Sequence, residues 1–147
     1  MKFKIKTDIL KNIISTVSRI VDPRPAAPSL QGIYLRTLEG FIEIIGSDLD
    51  IVIKAKAEAD IEIEGKALIN ARVLSDMVRK LPRGEVTFSD IGSELRVEQS
   101  KLNFTLRKLD EKTYPEALLD QNYDSKKSQS VEPSELFESL KKVGIAA

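Results

Sequence analysis

The sequence of 147 residues contains no cysteine, no histidine and no tryptophan. Without imidazole or thiol groups, the chain lacks the most frequent general base, the thiolate nucleophile and the common ligands of zinc and haem. A disulfide framework is excluded for the same reason. No apolar run approaches the roughly 18 residues of a membrane span, and no signal-peptide core follows Met1. We therefore expect a soluble, cytoplasmic protein without a metal, a cofactor or membrane contact.

Two segments have the spacing of amphipathic helices, and each follows a short alternating strand. Thr7 and Asp8 are predicted to cap the first helix and Asn70 the second, while Pro82 and Gly84 end the second. The apolar stripes of the two helices comprise Ile9, Leu10, Ile13, Ile14, Val17, Ile20 and Val21, and then Leu74, Met77, Val78 and Leu81. Period-two alternation predicts strands at residues 3–6, 30–38, 41–45, 49–55 and 61–64, and again at 67–69, 85–88, 95–97 and 102–106. Such strands are typical of antiparallel sheets with one solvent-exposed face.

The order of strand, helix and further strands occurs twice, and the two copies align with each other. The alignment lays Ile5 on Ile69, Leu10 on Leu74, Ile42 on Leu95, Ile44 on Val97 and Leu49 on Leu102. Any two amphipathic helices can be superposed, but that does not explain a consistent register in the strands as well. A third copy begins near the end, where residues 131–147 are predicted to form a strand and the start of a helix. Since that helix would have no sheet to cover, we expect the chain to be cut short at Ala147.

The net charge is zero, with 23 basic and 23 acidic residues, but the charges are unevenly distributed. Residues 39–64 are mainly acidic, whereas the polar faces of the two helices and of the proline-rich loop between residues 22 and 28 are mainly basic. The basic residues on these faces are Lys11, Arg19, Arg24, Arg72, Arg79 and Lys80. Such faces suit the phosphate backbone of a nucleic acid, and without interleaved aromatic residues they do not suit stacking on single strands. The simpler alternative is that these charges are only solvated.

A second candidate site is the pair of carboxylates Asp48 and Asp50, which lie at alternate strand positions. The pair could hold Mg²⁺ in a hydrolase. The sequence has neither a third clustered acid nor a glycine-rich phosphate loop, and the simpler alternative is a pair of exposed acids where a strand begins.

Several short motifs, in their order and spacing, carry a resemblance to a known family. They are MKFKI at the N-terminus, Arg24-Pro25, Gly46-Ser47-Asp48-Leu49-Asp50, the helix ARVLSDMVRKLP, Phe104-Thr105-Leu106 and Tyr114-Pro115. Together they resemble the first domain of the bacterial DNA sliding clamp, the beta subunit of DNA polymerase III. The resemblance implies a first clamp domain at residues 1–120, a linker at 121–130 and a truncated start of the second domain at 131–147. The implied fold class is α+β, a DNA clamp fold of repeated β-α-β-β-β units with two helices packed on antiparallel sheets.

The resemblance also implies a function that is topological and not catalytic. The full-length protein would be a ring-shaped homodimer that encircles double-stranded DNA without sequence preference, slides along it and tethers the polymerase as a processivity factor. DNA polymerase III and the clamp loader would bind through regions absent from this chain. The alternative is a free-standing basic-helix module that binds nucleic acid or an acidic partner without encircling it.

The family's functional residues correspond to positions in two parts of this sequence. Arg24, Arg72 and Arg79 correspond to DNA-facing residues, with Lys80 as a weaker candidate. Residues 101–106 correspond to the strand at the subunit junction, where the interface candidates are Lys101, Leu102, Phe104 and Leu106. One departure is Val73, where members of the family often carry lysine, so that the basic face is thinner here.

Overall fold

The computed structural model describes residues 1–21, 28–48, 51–119, 128–132 and 135–141. The strands are β1 (Lys2–Lys6), β2 (Gly32–Leu38), β3 (Phe41–Ser47), β4 (Ile51–Glu58), β5 (Asp60–Ile63), β6 (Lys66–Asn70), β7 (Glu85–Asp90), β8 (Glu94–Gln99), β9 (Leu102–Arg107), β10 (Ser128–Glu132) and β11 (Glu135–Lys141). The α-helices are α1 (Thr7–Ile20), α2 (Ala71–Arg79) and α3 (Glu116–Leu119), and two short 3-10 helices span Pro28–Gln31 and Glu111–Thr113.

The strands form two antiparallel sheets, and each sheet contains strands from both repeats. The five-stranded sheet has the order β5-β1-β7-β8-β9, and the six-stranded sheet has the order β10-β11-β4-β3-β2-β6. The opening strand of the first repeat, β1, thus pairs with β7 of the second, while β6, which opens the second repeat, pairs with β2 of the first. Because of this exchange, neither repeat can complete its sheet without the other.

The predicted repeat is confirmed by the element order. The aligned pairs β1 and β6, α1 and α2, and β3 and β8 are strand with strand and helix with helix. Aligned core positions are buried alike, as in Ile42 with Leu95 and Ile44 with Val97. The fifth strand of the first copy, β5, has no counterpart in the second copy among the described residues.

One hydrophobic core joins both sheets to α1 and α2. The predicted helix stripes supply Leu10, Ile13, Ile14, Val17, Leu74, Met77, Val78 and Leu81 to this core. The helix α1 approaches β3 closely at Gly46, where a Cβ atom would lie 2.5 Å from Cγ1 of Val17. Glycine at this position therefore lets the helix pack directly on the strand.

Of the two predicted helix N-caps, the one at α2 is confirmed and the one at α1 is not. Asn70 caps α2 as predicted, since its Oδ1 accepts the backbone N–H groups of Arg72 (3.0 Å) and Val73 (3.1 Å). The prediction of a Thr7 cap for α1 was wrong. Thr7 is buried, and its hydroxyl accepts the Gly84 N–H (3.0 Å) and donates to the carbonyl groups of the 82–84 turn. The hydroxyl is satisfied by the turn that follows the other helix, so it does not cap its own.

The predicted helix at the end of the chain was also wrong for the residues that the structure describes there. Residues 135–141 form β11, which pairs antiparallel with β4 from Glu135 opposite Ala57 to Lys141 opposite Ile51. The supposed linker also ends in a strand, since β10 begins at Ser128. Without β11, the N–H and C=O groups along that edge of β4 would lack a strand partner, whereas a lone helix would have no sheet to cover. The domain boundary near residue 120 stays a prediction.

The segment from Leu109 to Leu119 covers the face of the six-stranded sheet opposite the helices. Alternation along β2 places Ile33 and Leu35 in the main core and Tyr34 on this second face. There Tyr34 and Tyr114 contact each other with ring centroids 5.3 Å apart.

Two cations hold the end of this covering segment. Lys54 Nζ and Arg36 Nη2 donate to the Leu119 carbonyl at 2.8 and 3.2 Å. Arg36 Nε also pairs with the buried Glu43 carboxylate at 2.6 Å. The covering segment is therefore held by charge-assisted hydrogen bonds as well as by apolar packing.

Tyr114→Phe should not destabilise the protein, although Tyr114 is buried. Burial raises the pKa of its hydroxyl, and that hydroxyl has no hydrogen-bond partner within the described part of the chain. Removing an unsatisfied buried hydroxyl should raise the free energy of unfolding by up to about 1 kcal/mol. Urea unfolding measures this change, and Tyr114→Ala, which removes the ring, should lower the same free energy by about 3–5 kcal/mol. A loss above about 1 kcal/mol in Tyr114→Phe would contradict the packing described.

Candidate nucleic-acid interface

The helices α1 and α2 pack side by side and leave an open groove on the side away from the core. One part of this groove, of about 590 Å³, is lined by Ser18, Val21, Gln31, Asn70, Ala71, Arg72, Ser75, Asp76 and Arg79. The adjoining part, of about 480 Å³, is lined by Lys11, Ile14, Ser15, Ser18, Arg19, Ser75, Val78 and Arg79. Ser18, Ser75 and Arg79 line both parts, so we treat them as one interhelical groove.

This interhelical groove brings together four of the basic residues predicted from the sequence. Lys11 and Arg19 come from α1, while Arg72 and Arg79 come from α2. On α2 the two arginines share a face because seven residues are close to two helical turns. Serine hydroxyls lie between the cations, and Arg19 Nη2 donates to Ser15 Oγ at 3.4 Å. Cations and hydroxyls on an open surface can contact phosphate oxygens without reading base edges.

The remaining DNA-facing candidates lie elsewhere. Lys80 is exposed just after the end of α2, but it lines neither part of the groove. Arg24 lies outside the described residues. Val73, where the resemblance leads one to expect lysine, is 48% exposed.

The lining residues that were not identified as site residues from the sequence include Asn70, Gln31 and Asp76. Asn70 contributes through its place at the start of α2, and Gln31 through the 3-10 helix that follows the proline-rich loop. No sequence signal marks Gln31. Asp76 forms an ion pair with Arg79 inside the groove, and the signal that could have identified it is its spacing of three residues from Arg79 on one helix.

The strand β9 lies at the edge of the five-stranded sheet and pairs on one side with β8. Its other edge has no strand partner among the residues that the structure describes. Leu102 is 38% exposed, and Lys101 is also exposed. Phe104 is half-buried against the core, and Leu106 is only 5% exposed and belongs to the core. The side chain of Leu106 therefore serves this domain, and only its backbone is placed to meet a partner strand. The role of β9 at a subunit junction stays a prediction.

The acidic pair receives no structural support as a metal site. Asp48 Oδ1 accepts the N–H of Ile51 at 2.8 Å and so shapes the turn before β4. Asp50 lies outside the described residues. No cluster of three or more potential metal ligands occurs within the described ranges.

In the part of the chain that the structure describes, none of the helices has the length and apolar character needed to cross a membrane.

Comparison with known proteins decides the family. Residues 1–120 match the family model described as the DNA polymerase III beta subunit, N-terminal domain. The chain belongs to this family. The beta sliding clamp of Micrococcus luteus is 33% identical over 115 residues, which are 78% of this chain and 37% of the relative. The beta sliding clamp of Bacillus subtilis is 34% identical over an alignment of 124 residues that covers 78% of this chain and 33% of the relative. The chain thus spans about a third of the length of these relatives.

Solved sliding clamps share the fold of this chain. The crystal structure of the DNA polymerase sliding clamp from Bacillus subtilis has a TM-score of 0.75 at 30% identity, over 78% of this chain and 33% of that one. A Helicobacter pylori beta clamp bound to a DNA ligase peptide has a TM-score of 0.74 at 22% identity, over 78% of this chain and 32% of that one, and shows the fold alone. The predicted fold class, an α+β clamp fold of repeated units, is confirmed.

Proposed function

We propose that this chain is the N-terminal part of a sliding clamp that serves as a non-catalytic processivity factor in DNA replication. The observation that carries the proposal is the interhelical groove, in which both repeats of a clamp-family domain contribute cations to one face. The ring, the tethering of the polymerase and the homodimer concern the whole protein, of which this chain is about a third.

In this proposal, the interhelical groove faces the backbone of duplex DNA. Arg72 and Arg79 are the principal phosphate contacts, with Lys11 and Arg19 beside them and Arg24 and Lys80 as outlying candidates. Contacts to phosphate alone are independent of sequence, so the protein can move along the duplex without meeting a preferred site. The exposed edge of β9 would pair with a second protomer, with Leu102 and Phe104 at the contact.

Further partners would bind outside this chain. We expect DNA polymerase III and the clamp loader to bind the full-length protein; the Helicobacter pylori beta clamp has been solved with a different protein partner, a DNA ligase peptide. The free-standing basic module remains the alternative outcome of the tests below.

Replacing both Arg72 and Arg79 with Ala should weaken the binding of duplex DNA and flatten its salt dependence. Each phosphate contact contributes about 0.9 to the slope of log affinity against log salt, so the slope should fall by about 1.8. Between about 50 and 200 mM salt, the unmodified chain should then lose roughly tenfold more affinity than the variant. Fluorescence anisotropy with two unrelated duplexes measures both quantities, and the variant should affect the two duplexes equally.

The matched control is the Arg96→Ala and Arg107→Ala double variant, which removes the same charge from exposed positions on β8 and β9. It should leave the slope within about 0.5 of the unmodified value. If both double variants changed the slope equally, the interhelical groove would not be the DNA-facing surface.

A further inference from the structure

One acidic side chain lies inside the otherwise basic interhelical groove. Asp76 is on α2, three residues before Arg79, and its Oδ1 accepts a hydrogen bond from Arg79 Nη2. Both side chains line the larger part of the groove. The Asp76 side chain is 49% exposed and that of Arg79 is 72% exposed, so the ion pair meets solvent.

This ion pair contributes little to the stability of the domain. Exposed pairs at this helical spacing contribute little because water and salt screen them. Asp76 is also the only acid of α2, and it lies in the last turn, where the helix dipole disfavours a negative charge. Local stability therefore does not account for an aspartate at this position.

The position of Asp76 has a direct effect on the cations around it. Asp76 lies between Arg72, four residues before it, and Arg79, three residues after it, on the same helix face. Arg72 has no ion pair within the described part of the chain, whereas the guanidinium of Arg79 is engaged. A carboxylate and a phosphate offer the same kind of oxygen acceptor to a guanidinium. While this ion pair is formed, the edge of Arg79 that meets Asp76 is thus not available to DNA.

We infer that Asp76 competes with DNA phosphate for Arg79 and so keeps the affinity of the interhelical groove for duplex DNA low. The inference rests on the proposed function and names a positioning residue within it. When a phosphate leaves, Asp76 takes its place on Arg79, so the arginine is never left without an acceptor. Release then costs less than it would for an unpaired cation, and this suits a surface that must slide.

Asp76→Asn should therefore strengthen the binding of duplex DNA by the 147-residue chain. The variant keeps the shape of the side chain but removes the charge, so Arg79 meets DNA phosphate without a competing carboxylate. At about 50 mM salt the affinity should rise roughly fivefold, and the salt slope should steepen by up to about 0.9. Anisotropy titrations with a short duplex measure both, and thermal unfolding should differ little from that of the unmodified chain.

Asp8→Asn is the matched control, because Asp8 is also an exposed helical acid in an ion pair, with Arg83 at 3.3 Å, but lines neither part of the groove. It adds the same net charge and should change the affinity less than twofold. A double-mutant cycle gives the decisive measurement, since Asp76→Asn should have no more effect than Asp8→Asn once Arg79 is Ala.

Two results would overturn the inference. One is an equal effect of Asp76→Asn and Asp8→Asn, and the other is an undiminished effect of Asp76→Asn when Arg79 is Ala. Failure of the proposed function has a different signature, because then the Arg72→Ala and Arg79→Ala double variant would itself leave DNA binding unchanged.

Discussion

The full-length protein should remain on circular duplex DNA far longer than on a linear duplex of the same length and sequence. A closed ring can leave a circle only by opening, but it can slide off a free end while making the same phosphate contacts. Since dissociation rates range over many decades, we expect a difference of at least about a hundredfold in lifetime. Single-molecule fluorescence measures the lifetimes directly.

Two controls sharpen this experiment. Cutting the circle at one site should release the bound protein, and blocking both ends of the linear duplex with bulky proteins should restore the long lifetime. Equal lifetimes on circular and linear DNA would reject the ring and favour the free-standing basic module.

Aspartate substitutions at Leu106 and Leu102, two positions on β9, should have different effects on stability. Leu106 belongs to the core, and Asp at this position would bury a carboxylate with no cation provided for it. That burial should cost several kcal/mol, and we expect Leu106→Asp to lower the melting temperature of the 147-residue chain by about 10–20 °C or to prevent folding.

Leu102→Asp should behave in the opposite way. Leu102 is exposed at the end of β9, so the free energy of unfolding of the 147-residue chain should change by no more than about 0.5 kcal/mol. In the homodimer proposed for the full-length protein, the same change should weaken the association, because a charge would then lie at the proposed contact with the partner strand. Calorimetry and analytical ultracentrifugation measure the two effects. A full-length Leu102→Asp variant that dimerises as tightly as the unmodified protein would contradict the assignment of β9 to the subunit junction.

The sequence by itself determined the local elements of this domain. Period and spacing predicted the helix stripes, the alternating strands and the internal repeat, because each depends on residues within one or two turns or on one strand. The Asn70 cap was predictable for the same reason, since its acceptor meets N–H groups only two and three residues away. The basic face of α2 also followed from spacing alone.

Only the tertiary structure decided which elements meet. The exchange of β1 and β6 between the sheets joins strands far apart in the chain, and no local pattern specifies that pairing. Thr7 resembled a helix cap, but the 82–84 turn lies close enough to take its hydroxyl. Residues 135–141 have helical spacing, yet they pair with an edge of β4 that the sequence did not show to be open.

In the candidate site, too, the sequence determined some features and the tertiary structure others. Composition and spacing identified the cations, because a charged residue on a helix face is visible in the sequence. Asp76 and Arg79 are three residues apart on one helix, so their ion pair was also predictable from spacing, whereas only the fold showed that the pair lines a groove shared with α1. Likewise, the alternation of β9 could not show which of its apolar residues faces the core. That choice depends on where the sheet lies relative to α1 and α2, so packing placed Leu106 inside and left Leu102 exposed.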